Sequence, residues 1–420
     1  MSGLETTGVI VGIVVGVVGL GVAAVAVWLA VKPRTTAAVS SRIADFKDVR
    51  QSVGKRRAEL TALALELHAA DVDEELPTVL SSPPMRPEVP LRLDRLRVVI
   101  RSPESIPTGL GLPARAVKSI LPPKDSGARI TRFSEAIELH ARPALWSDLP
   151  TYRVIAVDLT GSNPELQVGM STFFHGVDTS ELLGHELAAR SQGRKRSRLT
   201  TYPIRRHLGA PCDLGTRDVL TAVSALTLRI AEDKATFFLH QRDGSKVALA
   251  GGLMHLAPSG VFQPSADDPA TIARDKYPWL TLCREFAEEY LGVDEAQGLA
   301  GAQLSYDEDE PYASINGAYE SGELRAHVLF MGLDPVSQCP ELVTAVTMGA
   351  PCFDRVFGSM VRQNEEGEFR GARIASGRLV GYDFDAPTVA YLRSTGRLTP
   401  AAESALVYAW KHRRHILGGN

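Results

Sequence analysis

The sequence predicts an α+β protein in which a membrane helix and a helical stalk precede the main folded region. Three observations lead to this prediction. Residues 8–31 are apolar and contain neither a charge nor a proline. Residues 36–70 carry apolar side chains at every third or fourth position, the spacing of an amphipathic helix. Beyond residue 91, β-branched runs at 96–100 and 152–159 predict strands, and residues 179–190 predict a helix.

The composition is that of an ordinary globular protein. Of 420 residues, 44% are apolar and 23% are charged, which excludes a collagen-like or wholly disordered chain. The 46 basic and 49 acidic residues give a net charge of −3, so no binding to nucleic acid is expected from charge. The 4 cysteines have no paired spacing, which argues against a disulfide framework and a Cys-rich zinc site.

The apolar stretch at residues 8–31 predicts a single transmembrane helix. A helix of this length spans about 36 Å, enough for a hydrocarbon core of about 30 Å. A cleaved signal peptide is disfavoured because no basic residue precedes the stretch and no small-residue cleavage site follows it. Residues 1–7 lack Lys and Arg, whereas residues 32–57 are rich in both. We therefore expect a single-pass cell-membrane protein with its N-terminus outside and its C-terminal regions cytoplasmic.

Glycines recur every fourth residue within this stretch, at Gly8, Gly12 and Gly16. Such a ridge of small residues lets two membrane helices approach closely, which predicts a homodimer. The alternative is that these glycines only reflect the frequent use of glycine in membrane helices.

Composition shifts divide the chain into five predicted segments. Five prolines between residues 77 and 90 indicate a linker. The segments are an extracytoplasmic terminus (1–7), the transmembrane helix (8–31), a juxtamembrane helix with a Pro-rich linker (32–90), an N-terminal α/β region (91–215) and a C-terminal domain (216–420).

The C-terminal domain contains an acidic helix pattern from Trp279 to Val293. Its three carboxylates, Glu285, Glu288 and Glu289, are spaced i, i+3 and i+4, so on an α-helix they share one face. Carboxylates at this spacing repel one another, and a divalent cation would turn that repulsion into a binding site. Three carboxylate oxygens suit Mg²⁺ or Mn²⁺, and Arg284 is placed to hold one carboxylate by a bidentate contact. The alternative is an acidic helix face that is simply solvated.

The run from Arg284 to Glu289 resembles the R-E-hydrophobe-x-E-E core of the Nudix box, and Pro258-Ser259-Gly260 resembles the turn that enters that box. Residues from about 91 to 415 also look similar to uncharacterised actinobacterial Nudix-like proteins. The resemblance implies an α/β/α sandwich with a mixed sheet for residues 216–420. It also implies hydrolysis of a nucleoside diphosphate derivative, with Mg²⁺ or Mn²⁺ held by the three glutamates.

The box departs from the family pattern upstream of the helix. The position six residues after Gly260, where the family has Glu, is Ala266. The loop before Arg284 is about ten residues longer than the pattern. Asp267 and Asp268 are candidates for the missing carboxylate.

Three functions stay open at this point. The first is a membrane-anchored cytoplasmic Nudix-type pyrophosphohydrolase, and the second is an inactive, nucleotide-sensing Nudix-like module tethered to the membrane. The third is a structural protein without a ligand. The intact glutamates favour the first, and the altered loop favours the second. For a hydrolase, the general base would be a box glutamate, Glu365 or Glu366, and His255 lies near the glycine turn.

Overall fold

The computed structural model describes residues 37–102, 111–144, 146–192, 196–232, 234–242, 253–293, 304–361, 367–371, 373–375 and 378–418. Helix α1 covers residues 37–55. The other helices are α2 (Arg57–Leu67), α3 (Ala114–Ile120), α4 (Phe133–His140), α5 (Phe173–Arg190), α6 (Pro203–Leu208), α7 (Pro269–Asp275), α8 (Pro278–Glu285), α9 (Tyr312–Glu320), α10 (Ala350–Val356), α11 (Ala386–Ser394), α12 (Pro400–Lys411) and α13 (Arg413–Leu417). The strands are β1 (Leu91–Arg92), β2 (Arg97–Ile100), β3 (Pro150–Asp158), β4 (Glu165–Thr172), β5 (Ala222–Ala231), β6 (Lys234–Phe237), β7 (Leu239–Arg242), β8 (Met254–His255), β9 (Ser259–Val261), β10 (Leu324–Leu333), β11 (Pro340–Gly349), β12 (Gly367–Arg370), β13 (Arg373–Ala375), β14 (Arg378–Val380) and β15 (Tyr382–Asp383).

A seven-stranded mixed sheet forms the centre of the molecule, in the order β1-β10-β11-β5-β6-β15, with β9 also paired to β5. Strands β11 and β5 run parallel, whereas β10 is antiparallel to β11 and β6 is antiparallel to β5. Strand β11 is buried along nearly its whole length and β5 along its central six residues, as expected of strands covered on both faces.

Helices cover both faces of this sheet. One hydrophobic cluster joins one face of the sheet to helices α8, α9 and α10. A second cluster joins the opposite face to α11 and α12. The chain is thus α+β with mixed sheets, and its C-terminal part is layered helix, sheet, helix.

The transmembrane helix predicted as part of the fold class is corrected here. Within the part of the chain that the structure describes, no helix is both long enough and apolar enough to cross a membrane. Residues 8–31 lie outside the described residues, and so does the predicted dimer contact through Gly8, Gly12 and Gly16.

The predicted stalk is also corrected, because its two helices pack onto the folded region. Phe46 of α1 is buried, with its ring 5.7 Å from that of Phe133. Leu60 and Leu63 of α2 are buried in a cluster that includes Leu187 of α5. The apolar periodicity of residues 36–70 therefore marks a face that the protein covers with its own core.

The proline-rich segment at 77–90 does not behave as a solvated linker. Leu80 exchanges two backbone hydrogen bonds with Leu333, at 2.9 Å and 2.7 Å, which extends the central sheet at that point. Val79 and Met85 are buried in the core. The segment is therefore packed against the folded region, although its proline content alone predicted a linker.

The N-terminal α/β region shares its core with the C-terminal domain. It contains a three-stranded sheet in the order β2-β4-β3. The backbone N–H of Tyr152 donates to the carbonyl of Phe262 at 2.9 Å, and their rings lie 4.7 Å apart. Both side chains belong to the same hydrophobic cluster as Phe286 of the acidic helix. The boundary predicted at residue 215 thus lies inside a shared hydrophobic core.

His185 gives this N-terminal region an expected sensitivity to acid. Its ring lies 4.9 Å from Phe46 and 5.3 Å from Phe133, and burial lowers its pKa to about 3. In the unfolded chain His185 binds a proton near its usual pKa of about 6.5. As pH falls from 6.5 toward 3, the unfolded state therefore binds more protons, and the free energy of unfolding decreases by up to about 1.4 kcal/mol per pH unit.

The variant His185→Phe should lose this contribution to the pH dependence, because phenylalanine does not titrate. We expect the drop in unfolding free energy between pH 7 and pH 5, measured by denaturant titration, to be about 2 kcal/mol smaller than in the parent chain. His207→Phe is the matched control, because His207 is exposed on α6. Equal slopes for the parent and His185→Phe would contradict the assignment.

Candidate functional site

The acidic helix pattern folds as α8 followed directly by one π-helical turn, Phe286–Tyr290. Pro278 occupies the first turn of α8, where its missing N–H costs no hydrogen bond. Leu282, Phe286 and Tyr290 are buried in the core, so the predicted apolar face is confirmed. Glu288 and Glu289 lie within this π turn, and Glu285 is the residue that precedes it. Glu288 and Glu289 therefore lie outside the regular α-helix that the spacing predicted.

Glu285 lies against the glycine turn that precedes the helix. Gly260 is on β9, which pairs with the central strand β5. A Cβ atom placed on Gly260 would overlap the carboxylate of Glu285. Glycine is needed at residue 260 for this close approach, and the turn and the acidic helix therefore form one packed unit.

Glu289 is buried beside the same turn, with 2% of its surface exposed. Its Oε1 accepts a hydrogen bond from the backbone N–H of Ser259 at 3.3 Å. Nδ1 of His240 on β7 lies 3.9 Å from the same oxygen. Glu289 thus connects the acidic helix to β9 and β7.

Glu288 is partly exposed and lies toward α9. Burial and, second, the negative charge of Glu288 raise the pKa of Tyr312 at the start of α9 to about 12. Glu285 and Glu289 therefore meet the glycine turn, whereas Glu288 interacts electrostatically with a different element.

The predicted metal site requires three converging donors. Within the described part of the chain, no group of three or more His, Cys, Asp and Glu side chains is arranged to hold a metal ion. Glu285, Glu288 and Glu289 do not form such a group among the described residues. Metal binding by these residues stays a prediction.

Arg284 holds a carboxylate, as expected of its position, but the carboxylate is Asp275. Nη1 of Arg284 lies 3.2 Å from Oδ2 of Asp275 and also donates to the hydroxyl of Tyr306. Burial alone lowers the pKa of Arg284, but Tyr306 and Asp275 outweigh this effect and the pKa is raised. Arg284 therefore anchors α8 through Asp275 and Tyr306, and the nearby charge of Glu285 also raises its pKa.

Asp275 is the upstream carboxylate that the sequence argument missed. It is fully buried and accepts hydrogen bonds from the backbone N–H and the hydroxyl of Ser265, at 2.8 Å and 2.6 Å. The residues proposed for that role lie elsewhere: Asp267 is exposed, and Asp268 caps α7. The sequence did contain a clue to this pairing, because Asp275 is the single carboxylate between residues 269 and 284.

His255 contacts a glutamate that the sequence argument did not consider. Its Nε2 lies 3.5 Å from Oε1 of Glu341 on β11, and that oxygen also accepts a hydrogen bond from the hydroxyl of Ser224. The strand pairing of β7 and β8 sets His255 opposite His240. The alternative general bases, Glu365 and Glu366, lie outside the described residues.

Comparison with known proteins adds no family assignment: no family model matches this chain, and no curated protein matches it. The Nudix resemblance therefore rests on the residues of the box and on the glycine turn, and it stays a prediction.

Proposed function

We propose that this chain is a Nudix-like module that binds a nucleotide-type ligand without hydrolysing it. The observation that carries the proposal is the use of the box glutamates as structural contacts. Glu289 is buried between the N–H of Ser259 and His240, and Glu285 packs on Gly260. A buried carboxylate with such partners supports the fold more directly than it supports proton transfer with a substrate.

The class of ligand, a nucleoside diphosphate derivative, comes from the resemblance to the Nudix box. A second candidate function is hydrolysis of the same ligand. One observation favours it, since Glu285 and Glu288 keep part of their surface accessible. The two candidates differ in one measurable respect, which is whether the ligand is cleaved.

The test uses the full-length chain with ADP-ribose and UDP-glucose, each with and without Mg²⁺ or Mn²⁺. We expect no phosphate-containing product, together with a higher melting temperature at saturating ligand. A ligand at 100 times its dissociation constant stabilises the folded state by about 2.7 kcal/mol. The absence of both turnover and stabilisation would contradict nucleotide binding by this chain.

The hydrolase candidate is separated by the double variant Glu288→Gln, Glu289→Gln. Glutamine keeps an oxygen to accept the N–H of Ser259, so the variant should fold. Glu323→Gln is the matched control, because Glu323 is exposed and pairs with Arg355 outside the acidic helix. Turnover that persists in the control and disappears in the double variant would establish the hydrolase instead.

A further inference from the structure

A cavity of about 560 Å³ lies at the start of α8, apart from the box glutamates. Residues 93–96, the beginning of α8, the loop at 304–307 and helix α9 enclose it. A volume of this size accommodates a small organic molecule. The proposed function above makes no use of this cavity.

One wall of the cavity is a rigid aromatic pair. The rings of Trp279 and Tyr319 stack with their centroids 4.0 Å apart and their planes inclined by 18°. Nε1 of Trp279 donates a hydrogen bond to Oδ1 of Asn316 at 2.9 Å, which fixes the orientation of the indole. Such a wall is preorganised to receive another ring or a cation, because its groups do not need to reorder on binding.

The polar side of the cavity is acidic. Nδ2 of Asn316 lies 3.3 Å from Oδ1 of Asp307 and 3.1 Å from Oε1 of Glu320. Within the parts of the chain described by the structure, no basic side chain forms an ion pair with Asp307 or Glu320. The side-chain amide of Asn316 thus holds both carboxylates close together at the edge of the aromatic wall.

Arg274, the basic residue that lines the cavity, has partners of its own. Nε of Arg274 lies 2.7 Å from Oδ1 of Asp275, and its Nη1 donates to the carbonyl of Leu304 at 2.9 Å. Among the described residues that line the cavity, Arg274 is the one basic side chain, against the three carboxylates Asp94, Asp307 and Glu320, so the lining carries a net negative charge. An anionic ligand would be repelled by Asp307 and Glu320.

We propose that this cavity binds a small organic cation that carries a ring. The ring packs against the partly exposed Tyr319, which the buried Trp279 supports from behind, and the ammonium or guanidinium group pairs with Asp307 and Glu320. The aromatic faces attract the cation and the carboxylates balance its charge, so the two features of the cavity select the same ligand class. The site is independent of the nucleotide-type ligand, whose phosphates carry the opposite charge.

Three indoles that differ in charge test the proposal by calorimetry on the full-length chain. Tryptamine is the cation, tryptophol its neutral analogue and indole-3-acetate the anion. We expect tryptamine to bind about tenfold more tightly than tryptophol, and indole-3-acetate to bind most weakly. Equal affinity for the three compounds, or no binding of tryptamine, would overturn the proposal.

The double variant Asp307→Asn, Glu320→Gln tests the role of the carboxylates. It should weaken tryptamine binding about tenfold and leave tryptophol unchanged. Glu308→Gln is the control, since Glu308 is exposed beside Asp307 but does not line the cavity. Unchanged tryptamine affinity in a folded double variant would also overturn the proposal. Stabilisation by ADP-ribose should be the same in all three proteins, which separates this site from the proposed nucleotide function.

Discussion

Replacing Asp275 by alanine is expected to lower the free energy of unfolding by about 3–5 kcal/mol. The substitution removes the one carboxylate that balances buried Arg284, and it leaves the N–H and hydroxyl of Ser265 without their acceptor. A buried charge without a partner is among the costliest single defects in a protein core. Denaturant titration of the full-length chain measures the effect.

Two aspartates of the same loop are graded controls for this experiment. Asp267→Ala should change stability by no more than about 0.5 kcal/mol, because Asp267 is exposed. Asp268→Ala should cost about 1 kcal/mol, because Asp268 accepts hydrogen bonds from Ala270 and Thr271 at the start of α7. If Asp275→Ala were no worse than Asp268→Ala, Arg284 would not depend on Asp275.

A comparable loss, about 3–5 kcal/mol, is expected for Arg205→Met. The guanidinium of Arg205 is completely buried and donates to the carbonyl groups of Pro335 and Val336. The carboxylate of Glu186, also buried, accepts the backbone N–H groups of Ile204 and Arg205 at 2.7 Å and 2.9 Å. Methionine fills the space but leaves that carboxylate and both carbonyls without the buried cation.

The neighbouring residue supplies the control for this second prediction. Arg206 lies on the same helix but is exposed, so Arg206→Met should change the unfolding free energy by no more than about 0.5 kcal/mol. Similar stabilities for Arg205→Met and Arg206→Met would show that the buried guanidinium contributes little. Measurement at one denaturant and one ionic strength allows a direct comparison of the two variants.

Both predictions concern buried charges that join segments distant in sequence. Arg205 bridges α6 to the turn after β10, and Arg284 ties α8 to α7 and to the loop at 304–307. Charges in such positions form a network in which each member satisfies several groups. Hydrophobic periodicity carries no information about such pairings, and the sequence argument did not anticipate them.

In the acidic helix, the positions of the apolar residues were predicted correctly and those of the carboxylates were not. The repeat of apolar residues predicted the buried face, and Trp279, Cys283 and Tyr290 are all buried as expected. The same reasoning placed all three carboxylates on one face, whereas Glu285 and Glu289 meet the glycine turn and Glu288 lies toward α9. The helix also ends in a π turn, which contains Glu288 and Glu289. Such a turn depends on how the end of the helix packs, and the spacing of residues does not reveal it.

The sequence by itself determined the α+β class and the apolar face of the acidic helix, because a periodic pattern of apolar residues reports directly on local burial. Only the tertiary structure decided what the polar residues contact. It paired Arg284 with Asp275, moved Glu289 into the core and brought Asp307 and Glu320 to the edge of an aromatic wall. The physical reason is that a charged side chain acquires its role from groups that are distant in the chain and adjacent in the fold.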